Sequence, residues 1–298
     1  MILIECQQLS KHYGDKLALN KVSLSLSAGA PIGLVGPNGA GKTTLFSLLC
    51  GYILPTEGDI RIMGYKAGSS ELLGLVSALP QDAALDPNLT VLEQLSFFAR
   101  LQGIPRAAAK EEALRVLALV DLTSSAKLKP KSLSHGMGKR VAIAQALIGE
   151  PKLVLLDEPT AGLDPVNAKL IRQIVKSQSN NTQFVISSHN LEELEKLCDQ
   201  IVYLEQGKLA QSVSLAEQDG STYLTLIMKH ADYPALISAI NALPSVLAVT
   251  HKEQQLLISY QAPEPYELEQ ALFTLFSAHQ WQYKMLLKGR SLEDTLFA

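Results

Sequence analysis

The chain predicts an α/β fold. A parallel sheet with helices joins an antiparallel β subdomain, carries a helical insertion, and is followed by a small C-terminal α+β domain. Three observations predict it. A glycine-rich loop, residues 36–44, lies between an apolar strand pattern and an apolar helix pattern. Two further apolar strands, one ending at Asp157 and one just before His189, alternate with helical segments. That alternation makes a parallel sheet whose carboxyl edge carries the chemistry. Beyond residue 221 the order becomes β-α-β-β-α-β.

The elements follow in order. Ile2, Ile4 and Cys6 mark one face of a first strand; Val22, Leu24 and Leu26 mark a second, with Ser23, Ser25 and Ser27 opposite. These strands predict an antiparallel sheet leading into the strand Pro31–Val35. Residues 22–41 carry no charge, but Gly29, Pro31, Gly33, Gly36, Pro37 and Gly39 break the run, so it reads as strands and a turn and not a membrane span. Met1–Glu5 is too short for a signal peptide and lacks its basic start. A strand is expected at Leu75–Leu79. A helical insertion is expected over about 82–150, with helices at Val91–Gln102, Arg106–Val120 and Lys139–Ile148. Thr90 is placed to cap the first of these, and Glu93 to complete a capping box. Strands follow at Lys152–Asp157 and Gln183–Ser188.

In the last third, strands are expected at Thr222–Met228, Val246–Thr250, Gln255–Ser259 and Gln282–Leu287, with helices at Tyr233–Leu243 and Tyr266–Ala278. This is a ferredoxin-like pattern. His230, His251 and His279 are scattered without metal spacing, and Trp281 is expected in a core. A chain of 298 residues is long enough for two domains, here 1–215 and an accessory domain 221–298.

Composition excludes several classes. A hydrophobic fraction of 47% with 18% charged residues is that of a globular protein. The net charge of -3 offers no basic surface, so nucleic acid is not an expected partner. Three cysteines, Cys6, Cys50 and Cys198, are odd in number and scattered, which suits a reducing compartment.

The loop Gly36-Pro37-Asn38-Gly39-Ala40-Gly41-Lys42-Thr43-Thr44 is a complete P-loop in strand–loop–helix context. Its glycines let backbone N–H groups turn inward around an anion, and the following helix points its positive end there. Lys42 can reach the β- and γ-phosphates; the Thr43 hydroxyl can ligate Mg²⁺. Leu153-Val154-Leu155-Leu156-Asp157-Glu158 is a buried strand ending in two carboxylates. Asp157 can hold Mg²⁺, and Glu158 can orient or deprotonate an attacking water.

In these residues and those that follow, the chain resembles the ATP-binding cassette (ABC) family. Leu133-Ser134-His135-Gly136-Met137 stands where that family has Leu-Ser-Gly-Gly-Gln. Ala161-Gly162-Leu163-Asp164 resembles its D-loop, Gln81 its Q-loop glutamine, His189 its switch histidine, and Tyr13 its adenine-stacking aromatic. The resemblance covers residues 1 to about 210. It implies a P-loop NTPase core that hydrolyses ATP with Mg²⁺. Glu158, His189 and Lys42 would be catalytic. Tyr13, residues 36–44, Ser134 and Gly136 would bind nucleotide. Thr43, Gln81 and Asp157 would serve the metal.

The signature departs from the family pattern. His135 adds a side chain that would resist any positive φ, and Met137 lacks the amide of glutamine. The resemblance further implies a head-to-tail dimer, with two copies of this chain expected, in which the signature of one subunit completes the P-loop site of the other. It implies a separate integral membrane permease, contacted near residues 82–100, and a place in the cytoplasm, peripheral on the inner face of the cell membrane. Ser291-Leu292-Glu293-Asp294-Thr295-Leu296-Phe297 resembles the tail of exporter ATPases, which favours export. Two other readings stand beside this one: a soluble ABC ATPase acting on ribosomes or DNA, and a nucleotide-sensing subunit with little turnover, which His135 and Met137 raise.

Overall fold

The structure is a computed structural model that describes residues 2–214, 222–252, 255–261 and 266–289. The chain divides into two compact units, Met1–Leu215 and Ala216–Ala298. The exporter-like tail, residues 291–297, lies outside the described residues.

The first unit runs β1 (Ile2–Tyr13), β2 (Lys16–Ser27), β3 (Ile32–Val35), α1 (Lys42–Leu49), β4 (Glu57–Ile62), β5 (Tyr65–Lys66) and β6 (Val76–Leu79). The helical stretch follows, with α2 (Val91–Leu101), α3 (Arg106–Leu119) and α4 (His135–Ala146). It then returns to the sheet through β7 (Leu153–Asp157), α5 (Pro165–Gln178), β8 (Gln183–Ser188), α6 (Leu191–Glu195), β9 (Gln200–Glu205) and β10 (Lys208–Ser214).

Two sheets form. One is antiparallel, in the order β2-β1-β4-β5. The other has the order β10-β9-β3-β8-β7-β6 and is parallel from β9 to β6, with β10 antiparallel at its edge. Helix α1 belongs to the cluster that joins the sheets. Leu45, Phe46, Leu48 and Leu49 pack in one apolar cluster with Leu24 and Leu26 of β2, Ile60 and Ile62 of β4, and Leu153, Val185 and Val202 of the parallel sheet. Each such buried side chain contributes about 1.5–3 kcal/mol. The loop that opens α1 is therefore held by a core and not by solvent-exposed contacts.

Two expectations are corrected. Ile2 does not share the buried face of Ile4 and Cys6: it is 53% exposed, while Leu3 is buried. The β1–β2 register shifts between Ile2 and Ile4 and again between Cys6 and Leu9, where Gln8 has φ 48. Such bulges break the two-residue period on which the reading rested. The helix expected at Lys139–Ile148 instead spans His135–Ala146. Ser134 caps it, its hydroxyl accepting from the Met137 N–H at 3.2 Å. Gly136 and Gly138 had lowered the apparent helix propensity of that first turn.

Elsewhere the helix chemistry is as read. Thr90 caps α2 in a full capping box with Glu93. Of the adjacent phenylalanines, Phe97 is exposed and Phe98 half-buried.

The second unit runs β11 (Thr222–His230), α7 (Tyr233–Asn241), β12 (Val246–Lys252), β13 (Gln255–Tyr260), α8 (Glu267–His279) and β14 (Gln282–Lys288). Its antiparallel sheet has the order β12-β13-β11-β14, the strand order of a ferredoxin-like fold. Leu224, Leu226, Leu236, Ile240, Leu256, Ile258, Leu268, Leu272 and Phe276 form its own core. Trp281 packs against that core and stacks on His279, ring centroids 4.4 Å apart.

Candidate active site

The strand order β3-β8-β7-β6 brings four chain segments to one edge. Past the carboxyl end of β3 lies the P-loop, past β8 His189, at the end of β7 Asp157 and Glu158, and past β6 Gln81. Neighbouring strands stand about 4.8 Å apart, so side chains distant in sequence meet in one row. They line an open cleft of about 530 Å³ together with Tyr13, Lys16, Ala18, Asn38, Gly39, Ala40, Gly41, Lys42, Thr43, Thr44 and Ala161.

The P-loop is built to receive an anion. No side chain caps the first-turn N–H groups of α1, as is also true of α3 and α8, and of these three only α1 opens into the cleft. Its N-cap is Gly41, at φ 104. A Cβ there would stand 2.7 Å from the Ala18 carbonyl oxygen and 2.7 Å from Leu19 Cδ2, so both the dihedral and the space require glycine. The orphan N–H groups of α1 face the cleft as donors.

Lys42 is buried, and its ammonium donates to the carbonyls of Gly36 at 2.7 Å and Pro37 at 3.3 Å. Gly36 and Pro37 thus hold Lys42 and do not line the cleft. Phosphate oxygens carry full charge and make stronger acceptors than these neutral carbonyls.

The carboxylates stand opposite. Asp157 is 3% and Glu158 7% exposed. The hydroxyl of Ser187, on β8, donates to Asp157 Oδ1 and accepts from the Glu158 N–H at 2.9 Å. Glu158 has φ 49, a left-handed conformation that non-glycine residues adopt at a cost and that concentrates at functional sites. Its Oε2 is 2.9 Å from His189 Nδ1. A neutral imidazole donating from Nδ1 would fix that carboxylate's orientation.

The oxygen donors of Thr43, Asp157 and Gln81 share the cleft, a hard-ligand set of the kind magnesium takes. The Asp157 charge, after burial, also pushes the Cys50 thiol up to about 12.

The structure does not bring every expected residue together. Ser134 lies in a second cleft of about 260 Å³, lined also by Ala83, Leu85, Pro130, His135 and Lys139. Gly136 lines neither cleft. It is buried against α5, where a Cβ would stand 2.4 Å from Asn167 Cγ. Asn167 in turn donates to Asp164 Oδ2 at 2.6 Å, and Asp164 caps α5. A side chain at this position would have to displace Asn167 and disturb its bond to Asp164.

His135 is different. It opens α4 without positive φ, so the side chain is accommodated. Its Nε2 lies 3.7 Å from where a Cβ on Gly162 would be.

Sequence reasoning missed Lys16, Ala18 and Ala161 as lining residues, and Ser187 as the partner of both carboxylates. The signal for Ser187 was a pair of hydroxyl residues, Ser187-Ser188, closing an apolar strand just before His189.

Comparison with known proteins places this geometry. A family profile described as ABC transporter matches residues 19–161. The linearmycin resistance ATP-binding protein LnrL of Bacillus subtilis (strain 168) is 34% identical over 283 residues, covering 93% of this chain and 91% of that protein. The Nod factor export ATP-binding protein I of Rhizobium sp. (strain N33) is 33% identical, covering 97% and 91% respectively. Among solved structures, a dimeric ATP-binding cassette in a post-hydrolysis state, bound to ADP and Pi, aligns with TM-score 0.66 and 27% identity. That alignment covers 72% of this chain and 100% of the other.

Proposed function

The chain belongs to the ABC transporter family as an ATP-binding, ATP-hydrolysing subunit, and from that premise we propose that it energises export through separate integral membrane permease subunits. Export is supported by relatives named for resistance and export that align over more than nine-tenths of the chain. No helix among the described residues is long and apolar enough to cross a membrane. Attachment to the inner face of the cell membrane would then come through the permease, with exposed Phe97 on α2 as a contact.

The single observation that carries the catalytic reading is the convergence of Lys42, Asp157, Glu158 and His189 on one cleft. In this reading the α1 N–H groups and Lys42 bind the phosphates, and Tyr13 takes the adenine at the rim. Glu158 accepts a proton from, or aligns, the attacking water, and His189 holds Glu158 in place. A magnesium ion would be held by Thr43 and Asp157 with Gln81 beside them, and when bound it neutralises charge on the phosphate oxygens.

Ser134 and Gly136 would serve the nucleotide of a second copy in a head-to-tail homodimer, since within one chain they lie away from the P-loop cleft. The test is Glu158→Gln. Turnover should fall about a hundredfold or more, the contribution of a positioned base, while an ATP-bound dimer accumulates on size-exclusion chromatography with Mg-ATP. An unchanged ATPase rate would remove Glu158 from the reaction.

A further inference from the structure

We infer that Ser187 is a positioning residue that sets both acidic residues of the cleft at once, Asp157 through its side chain and Glu158 through its backbone. The inference rests on the roles proposed above for those two carboxylates. Ser187 is the residue directly opposite Asp157 in the parallel β7–β8 pairing. Cross-strand partners point to the same face, so the hydroxyl meets the carboxylate without any loop rearrangement.

Ser187 is fully buried, 0% exposed, and each of its two hydrogen bonds has a separate consequence. By donating to Asp157 Oδ1, it fixes the rotation of the carboxylate. By accepting from the Glu158 N–H, it holds the chain where it turns left-handed, at φ 49. That turn carries the Glu158 side chain towards His189, whose Nδ1 is 2.9 Å from Oε2. A single hydroxyl on β8 thereby aligns a metal-facing carboxylate, a strained backbone and a catalytic side chain.

Removing it would leave a buried N–H and a buried carboxylate oxygen each short of a partner, which costs more than the net value of the bonds themselves. Loss of a group that hydrogen-bonds a metal-holding carboxylate costs about 10–100-fold in metal affinity or activity. The alternative is that Ser187 only satisfies buried strand groups. It would then affect folding stability and nothing else.

Ser187→Ala in the full-length chain separates the two. The measurements are Mn²⁺ affinity of the ADP complex by electron paramagnetic resonance, ATP affinity without metal, and steady-state kcat and KM. Expected results are metal-free ATP affinity within about twofold of wild type, Mn²⁺ affinity weakened about tenfold or more, and kcat down about 10–100-fold. Mn²⁺ affinity and kcat both within about twofold of wild type, on folded protein, would overturn the inference whatever the change in thermal stability. Glu158→Gln run alongside distinguishes failures. If it retains wild-type turnover, the reading of the cleft itself is wrong. If it is inactive while Ser187→Ala is normal, only the role of Ser187 falls.

Discussion

His189 Nδ1 stands 2.9 Å from Glu158 Oε2, although the two residues leave the sheet on different strands and differ greatly in exposure, 63% and 9% for their side chains. The exposed imidazole thus restrains the buried carboxylate from the cleft side, while Ser187 restrains its backbone from the sheet side. His189→Ala should lower kcat by about a hundredfold, at the lower end of what misplacing a general base costs. Nucleotide affinity should stay near wild type, because Lys42 and the α1 N–H groups are untouched. Equilibrium binding of a fluorescent ATP analogue beside steady-state turnover checks this; a loss of affinity matching the loss of rate would assign His189 to binding instead.

Ser134 and Lys42 line separate clefts of the same chain, and in the proposed head-to-tail dimer they would meet one nucleotide from two copies. A mixture of Lys42→Ala and Ser134→Ala chains should form heterodimers with one intact composite site and one doubly damaged site. Activity of the mixture should exceed that of either variant alone. Crosslinking that joins Ser134 to Lys42 of the same chain would refute the arrangement.

Unit one closes its parallel sheet at β10, and unit two has a complete core of its own. A chain ending at Ser214 should therefore keep its nucleotide affinity, measured by the same fluorescence titration. Unit two would then modulate turnover or dimer stability without contributing catalytic groups. A folded, soluble chain of this length that no longer binds ATP would move the domain boundary.

All three thiols are raised from 9.0 to about 12: Cys6 and Cys198 by burial and neighbouring acids, Cys50 by burial and then Asp157. A thiol whose folded value is raised binds its proton more tightly when folded. The associated stability is present below pH 9.0 and is lost as pH rises towards about 12. Iodoacetamide at pH 8 should label the native protein slowly and the denatured protein quickly, as mass spectrometry would report. A variant with all three cysteines replaced by alanine should lose less stability between pH 9 and 11 than the wild type. Rapid labelling of native protein at pH 8 would show that the thiols are not protected by the fold.

Much of this protein is legible in its sequence. The P-loop, the strand ending in Asp157-Glu158 and the helix start at Thr90 depend on local rules of period, capping and glycine freedom, and those rules act over a few residues. The two β-α-β halves of the second unit were readable for the same reason. The faults arose where a tertiary or local hydrogen bond outweighed the pattern. Bulges in β1 turned Ile2 outward, and the Ser134 cap drew α4 back across two glycines that propensity alone would leave outside a helix.

What the sequence by itself determined was the inventory: Lys42, Asp157, Glu158 and His189, each at the end of an element whose type its neighbours dictate. Only the tertiary structure decided their company. The order β3-β8-β7-β6 sets Ser187 beside Asp157 and brings Glu158 to His189, while Ser134, at the start of α4, lines a different cleft from Lys42. Strand order is a long-range choice made by burial of whole sheet faces, and no window of sequence contains it.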